Sequence, residues 1–242
     1  MNKAKTFILT CQSIHLHLHG VPQPDIIKKL KLRSHIHFVS EHQRSEFVRQ
    51  YPDIDIETKS FVIPNFTRQS FKRSVTQNIG MIGHLGRVDK NALSGIQLAQ
   101  QTNAQSVQCW GSYEVYGLDK PSSISKLQLN GWCNNLIKMH ESFDVLLSAS
   151  QFETFGLVVV EAMSAGIPCV LSDIPVYREL YSGCKGVIFL NGDKQKDIEA
   201  INQLLEHNDI LKSDIINFWR ERFSNETIES KWLEKITTLN TK

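Results

Sequence analysis

No stretch of this chain approaches the length of a membrane-spanning helix, and the N-terminus lacks the apolar segment of a secretory signal. Cysteine is scarce and scattered: five in 242 residues (Cys11, Cys109, Cys133, Cys169, Cys184), with no C-x-x-C pair to grip a metal or exchange a disulfide. Three of them lie on or beside apolar runs, the pattern of buried free thiols in a reducing compartment. An excess of charge of one sign is missing too, because 27 Lys and Arg face 25 Asp and Glu for a net charge of +2. That balance argues against a broad polyanion-binding surface, nucleic acid included, and leaves room only for a local basic patch. Internal repeats and low-complexity tracts are absent. What remains is the expectation of a soluble, cytoplasmic globular protein of one large or two small domains, 41% hydrophobic and 21% charged.

The most informative stretch is Gln151 to Asp173, QFETFGLVVVEAMSAGIPCVLSD. The apolar run Asp144–Ser150 before it reads as a buried parallel strand. A short loop leads into LVVVEAMSA, closed by Gly166 and Pro168, and Cys169–Ser172 is a second apolar run. Strand, glycine turn, helix and strand make one βαβ unit. Three consecutive valines are poor helix formers, so burial must hold this helix.

Two carboxylates stand in the unit, Glu153 at the helix entrance and Glu161 near its middle. Glu161 sits among Val160, Ala162 and Met163, where an unpaired carboxylate is costly. A vicinal diol on a ribose would satisfy it; the alternative is a core Arg or Lys partner. Phe155, Gly156 and Leu157 present free backbone N–H groups at a helix N-terminus, where an anion is favoured. Diphosphate at that terminus and ribose along the helix describe a nucleotide-sugar pocket. The bland alternative for Glu153 is a solvated loop residue.

The pattern E-x-F-G-L-x-x-x-E-A-M-x-x-G-x-P, filled by Glu153, Phe155, Gly156, Leu157, Glu161, Ala162, Met163, Gly166 and Pro168, resembles the signature of retaining GT-B glycosyltransferases of family 4. The resemblance implies that Glu161 holds the donor ribose and Glu153 contacts the donor sugar. The backbone at Phe155–Leu157 would lie against sugar and phosphate. It covers roughly residues 5–240, densely over 144–180 and thinly before 60. F-V-S-E-H (38–42) resembles the end of the family's N-terminal domain, and V-I-P-N-F (62–66) the crossing into the second, with Phe66 in place of the usual Gly.

Along the chain, Thr6–Cys11 reads as a strand. His15, His17 and His19 alternate with leucines, but the spacing is not a usual zinc pattern and no metal is expected there. Asp25–Leu32 is a short amphipathic helix candidate and His35–Ser40 a second strand. Ser40 then opens a helix with Gln43 three residues on, stopped by Pro52. Ser60–Pro64 is a third strand, and the polar, basic Thr67–Thr76 reads as a linker. Asn78–Gly83 is a strand leading to H-L-G-R-V-D-K-N, where Arg87 and Lys90 resemble the family's basic pair on the donor diphosphate, with fewer residues between them. A helix is expected from Asn91 to about Gln101. Strands at Ser106–Trp110 and Leu127–Asn130 end in Gly111, where the family has a glycine at the equivalent strand end, and in Gly131–Trp132, where it places the nucleotide base against backbone; Trp132 reads more simply as packing than as base-stacking. Gly117–Ser125 is a loop and Asn135–Phe143 a helix. Val176–Leu180 resembles the family's R-E-L helix, with Arg178 and Glu179 as partners for nearby charges. A last strand at Gly186–Leu190 precedes helices at Asp197–His207, Asp209–Phe223 and Glu226–Leu239, with Trp219 and Trp232 as core anchors.

The expected architecture is α/β and GT-B-like. Residues 1–74 form a partial Rossmann-like acceptor-side domain with linker, 75–225 a doubly wound parallel-sheet domain for the nucleotide sugar, and 226–242 a helix packing back toward the N-terminal part. So short a first domain must lean on the second, on another copy, or on a separate chain. By resemblance the chain moves a sugar with retention from a UDP- or GDP-sugar, UDP foremost, to a saccharide or lipid-linked acceptor in surface-polysaccharide synthesis. It would need no cofactor or metal and would touch the membrane peripherally at its inner face. The catalytic set is Glu153, Arg87, Lys90 and His15, the last standing in for the family's histidine near Gln12. Thr154, Phe155, Gly156, Leu157, Glu161, Gly111 and Trp132 would bind the donor. The alternative is a donor-binding half, or pseudoenzyme, that works with a partner chain.

Overall fold

The strands of the protein are parallel and fall into two sheets, in a computed structural model that describes residues 7–10, 34–53, 55–113 and 125–240. The first sheet has the order β1-β2-β3, from Phe7–Thr10, Ser34–Phe38 and Ser60–Val62. Helix α1 (Glu41–Gln50) follows β2 where the capping pattern places it: the Ser40 hydroxyl accepts the N–H of Gln43 at 3.1 Å. The Gln43 amide oxygen reaches back to the N–H of Val39 at 2.9 Å, one residue earlier than in the standard box. Phe38, Phe47, Ile36 and Ile56 form a small core of their own.

The second sheet runs β6-β5-β4-β7-β8-β9, built from Leu127–Gly131, Val107–Gly111, Ile79–Gly83, Val145–Ser148, Cys169–Leu171 and Val187–Phe189. Its middle strands are buried on both faces, so they read as continuous apolar runs, and β7 (VLLS) is buried throughout. Edge strand β6 is mostly exposed, and it carries the polar Gln128 and Asn130. One face is covered by α2 (Ala92–Ala99) and the first half of the long helix α6. The other is covered by α4 (Leu157–Ser164), α5 (Pro175–Tyr181) and the second half of α6. Between β6 and β7 lies the short α3 (Leu136–His140). Helix α6 (Lys194–Phe223) is two helical stretches broken at His207, whose φ of −120° and ψ of 22° leave the helical region. This is the break expected between 207 and 209.

Helix α7 (Asn225–Asn240) packs on the first sheet: Ile228 and Trp232 meet Phe61 and Ile63. The Trp232 ring stands edge-on to His37 at 4.6 Å, and the buried His37 Nε2 lies 2.7 Å from the carbonyl of Ile63. Trp219 is buried in the second sheet's core, as an anchor should be.

Thr67–Thr76 departs from its expected role as a solvated linker. Thr67 and Ser70 are buried, and Lys72 forms an ion pair of 2.9 Å with the fully buried Asp144. The Trp219 indole N–H donates to the Thr67 hydroxyl, the Ser70 hydroxyl meets His140 Nδ1 at 3.0 Å, and the N–H of Thr76 donates to Asp144. Polar composition alone suggested water as the partner; a carboxylate at the foot of β7 supplied a better one. The expected helix at 25–32, the histidines at 15–19 and the loop at 117–125 lie outside the described residues, except for Ser125. The described cysteines are free, with Cys109, Cys169 and Cys184 buried.

Candidate active site

In the second sheet the chain goes outward from β4 through β5 to β6, then returns to the far side of β4 as β7. Loops leaving β4 and β7 therefore diverge, and the crevice between them at the strands' carboxyl ends is where doubly wound sheets bind ligands. The β4 loop runs from Gly83 to Lys90 and the β7 loop from Ala149 to Gly156. The N–H of Gln151 donates to the carbonyl of Asp89 at 2.8 Å and ties one to the other. Across the crevice Lys90 Nζ forms a direct ion pair with Glu153 Oε1, and both side chains are largely shielded from solvent. Ser150 adds its hydroxyl to the same carboxylate oxygen at 3.1 Å.

Gly111 shapes the neighbouring wall. Its φ is +117°, and a Cβ there would fall 1.9 Å from the carbonyl oxygen of Gly83, so only glycine lets the two loops lie back to back. The N–H of Ser112 then donates to Gly83, and that of Gly86 to Ser112, each at 3.2 Å. Beside them a cleft of about 250 Å³ is lined by Gly111, Ser112, Tyr113, Leu129, Gly131 and Trp132.

Gly156 opens α4 in the left-handed region, φ +83° and ψ +58°. The N–H groups of Phe155, Gly156 and Leu157 find no acceptor among the described residues, leaving a cluster of donors at the helix mouth. This turn is held from behind. Tyr181 donates its hydroxyl to the carbonyls of Phe155 and Gly156 at 2.7 and 3.2 Å, and the Tyr177 ring packs so close that a Cβ on Gly156 would come within 2.7 Å of it. The first sheet's side contributes as well, since the Ser40 hydroxyl donates to the Thr154 carbonyl at 2.8 Å.

Glu161 lies four residues, about one helical turn, beyond Leu157. Its carboxylate makes no ion pair or hydrogen bond among the described residues, and burial pushes its pKa up to about 7. The alternative of a core Arg or Lys partner is thereby removed for those residues. An acid raised by desolvation, with no partner among the described residues, marks a place where a ligand's donors are wanted.

Other expected site residues fall differently. Arg87 is turned along its own loop in a two-pronged ion pair with Asp89, at 2.7 and 2.9 Å. Trp132 is not core packing: it is 66% exposed and stands edge-on to His84 at 5.0 Å. Leu157 is exposed, whereas the Phe155 ring is buried against Phe223. Arg178 pairs with Asp173, while Glu179 finds backbone rather than charge, accepting N–H groups at the start of α1. His15 and the Gln12 position lie outside the described residues. Among the described residues no group of three His, Cys, Asp or Glu is placed to hold a metal ion. Sequence reasoning read Ser40 as a helix cap alone and passed over Ser148, Ser150, Tyr177 and Tyr181. Only the tyrosines left a signal, four apart and so on one face of a helix.

Residues 124–222 match the family described as "Glycosyl transferases group 1". The poly(ribitol-phosphate) alpha-N-acetylglucosaminyltransferase of Staphylococcus aureus (strain COL) is 26% identical over 212 residues, covering 81% of this chain and 42% of that protein. The O-antigen biosynthesis glycosyltransferase WclY of Escherichia coli is 32% identical over 96 residues, 36% of this chain and 27% of its own length. The chain thus spans less than half of these curated relatives. Among solved structures, Anabaena HepE in complex with UDP and glucose superposes with a TM-score of 0.76 at 16% identity, over 96% of this chain and 72% of that one. TarM gives 0.75 at 20%, over 98% and 50%. The chain therefore has the fold of the GT-B glycosyltransferases, and its residues 124–222, which hold the α4 mouth and both glutamates, match the glycosyl transferases group 1 family.

Proposed function

We propose that the protein is a retaining glycosyltransferase that takes a sugar from a nucleoside-diphosphate donor, UDP foremost, and gives it to a saccharide or lipid-linked acceptor in surface-polysaccharide synthesis. The observation that carries this reading is the desolvated Glu161 carboxylate, without a partner among the described residues, below a mouth of amides that find no acceptor among them. The diphosphate would sit on the N–H groups of Phe155, Gly156 and Leu157, and the ribose diol would donate to Glu161. Lys90 stands ready to neutralise the leaving phosphate, and Arg87 joins it by leaving Asp89. Charge on the leaving group is then met by cations and amides, and this reading requires no metal. Glu153, released from Lys90 when phosphate arrives, faces the sugar. The bond from the anomeric carbon to the phosphate oxygen breaks as the acceptor oxygen attacks from the same face, and the acceptor's proton passes to the departing phosphate. The names of the curated relatives, a poly(ribitol-phosphate) alpha-N-acetylglucosaminyltransferase and an O-antigen biosynthesis glycosyltransferase, support the acceptor class.

A second reading, a donor-binding half that works with a partner chain, is favoured by the three-strand first sheet among the described residues and by likeness to a GtfA/B complex. Calorimetry with UDP- and GDP-sugars, run beside an assay for slow nucleotide release, separates the two. Binding with release supports the transferase, binding without release across donors and acceptors supports the half-site, and no binding of any nucleotide overturns both. Glu161→Ala is expected to weaken UDP by about tenfold or more, the value of hydrogen bonds to a charged group; an unchanged affinity overturns the ribose assignment.

A further inference from the structure

Behind the β7 loop lies a file of hydroxyls that the transfer chemistry does not use. The Tyr177 hydroxyl is 2.8 Å from Ser148 Oγ, Ser148 Oγ is 3.4 Å from Ser150 Oγ, and Ser150 donates at 3.1 Å to Glu153 Oε1. Tyr177, Ser148 and Ser150 are all buried. A carboxylate only accepts, so it sets the direction of the whole file: tyrosine donates to Ser148, Ser148 to Ser150, and Ser150 to Glu153. Burial raises the pKa of the Tyr177 phenol far above its ordinary value, with the negative charge of Glu153 adding to the effect, so the far end stays a neutral donor at any physiological pH.

We propose that Ser148, Ser150 and Tyr177 are positioning residues that fix the Glu153 carboxylate in the crevice, so that α5 orients the sugar-facing acid as well as the phosphate-facing turn. The inference rests on the donor-site reading above, which gives Glu153 its place beside the sugar. Two contacts on Glu153 Oε1 have different fates in that reading. Lys90 is drawn off by the diphosphate, whereas Ser150 is buried, uncharged and remote from the phosphate, and it stays. Without it, an acid freed from its ion pair would lose its fixed rotamer at the moment the sugar arrives, and a misplacement of about 1 Å is enough to cost much of the rate. The same helix holds the turn through Tyr181, one helical turn further on. A single rigid element therefore sets the spacing between acid and amide mouth.

The variants that test this are Ser150→Ala, Ser150→Thr and Tyr177→Phe, the last keeping the ring against Gly156. Against UDP alone, all three are expected to bind as the parent protein does. Against a UDP-sugar, Ser150→Ala is expected to lose roughly tenfold of the preference over UDP, seen as a raised KM for the UDP-sugar together with a lowered kcat for nucleotide release, while the affinity for UDP itself is unchanged. Ser150→Thr restores the hydroxyl and should recover most of it, and Tyr177→Phe should show a smaller loss of the same kind. In a Glu153→Gln background, Ser150→Ala should add no further loss, because it acts only through that acid. Undiminished sugar preference, or a loss that simply adds to that of Glu153→Gln, overturns the proposal. A second measurement needs no ligand: the carbon resonance of the Glu153 carboxyl, assigned by its disappearance in Glu153→Gln, should move in Ser150→Ala and return in Ser150→Thr. If the parent protein binds no nucleotide, the donor reading falls, and this resonance alone decides whether the file reaches Glu153. A resonance that does not move overturns the inference.

Discussion

The carboxylate of Glu179 accepts the backbone N–H of His42 at 2.7 Å and that of its neighbour Glu41 at 2.8 Å. Glu179 belongs to the second sheet's α5, while His42 opens a helix of the first sheet. The acid thus serves as a helix cap supplied from a distant part of the chain, on the positive end of the α1 dipole. Beside it the Ser40 hydroxyl reaches the Thr154 carbonyl, so the two sheets meet at the rim of the crevice.

Removing that cap should loosen the contact without unfolding either sheet. Glu179→Ala is expected to cost about 1 kcal/mol, the usual value of a lost N-terminal cap. Hydrogen exchange is the direct reading: the amides of Glu41 and His42 should exchange several-fold faster while those of β7 and β8 keep their protection.

Glu161 gives a pH dependence of defined sign. Its carboxyl titrates at about 7 in the folded protein because burial disfavours the charge. A diol donates stronger hydrogen bonds to the ionised form, both oxygens of which accept, so UDP affinity should rise with pH from 5 and level off above about 7, with a proton released on binding below that. Folding moves in the opposite sense: the neutral acid is the form the fold tolerates, so this group's cost grows as pH rises above the usual carboxylate range and stops growing above about 7. Calorimetry of UDP binding in buffers of different ionisation heat checks the first, and Glu161→Gln should flatten the profile.

Gly156→Ala should destabilise the protein and empty the mouth together. A left-handed residue with a side chain costs about 1–2 kcal/mol on its own, and the added Cβ also has to displace the Tyr177 ring. Thermal denaturation should show a melting temperature lower by several degrees, and UDP binding should weaken in parallel. A variant as stable as its parent would mean that the turn is free to relax.

The strand and helix order of the second sheet was legible because its strands are short apolar runs set between glycine turns, and the α4 mouth and its two acids follow from chain order alone. Lys90 and Glu153 were each recognised singly; that they face one another depends on the reversal of strand order, which no local pattern announces. Arg87 was read as open to phosphate because a basic residue in a loop normally is, yet Asp89, two residues on, competes for it at no cost in chain entropy. Trp132 was read as packing on the usual behaviour of tryptophan, but it follows an edge strand whose residues are mostly exposed and is itself exposed. The hydroxyl file was invisible for a simpler reason. Its serines alternate on one strand end and its tyrosine comes from a helix 27 residues after Ser150, a meeting that only the folded chain creates.

Thr67–Thr76 is riveted to the second sheet at Trp219, His140 and Asp144, so it has no slack to lend to any rearrangement. Thr67 and Ser224 pair as neighbouring backbone segments, which brings the outgoing and returning passages of the chain side by side. Two adjacent passages join the parts of the chain that carry the two sheets along one buried line, with Thr67, Trp219 and Ser224 on it. The contacts of Ser40 with Thr154 and of His42 with Glu179 are then a second, separate tie between the sheets, set at the rim of the crevice.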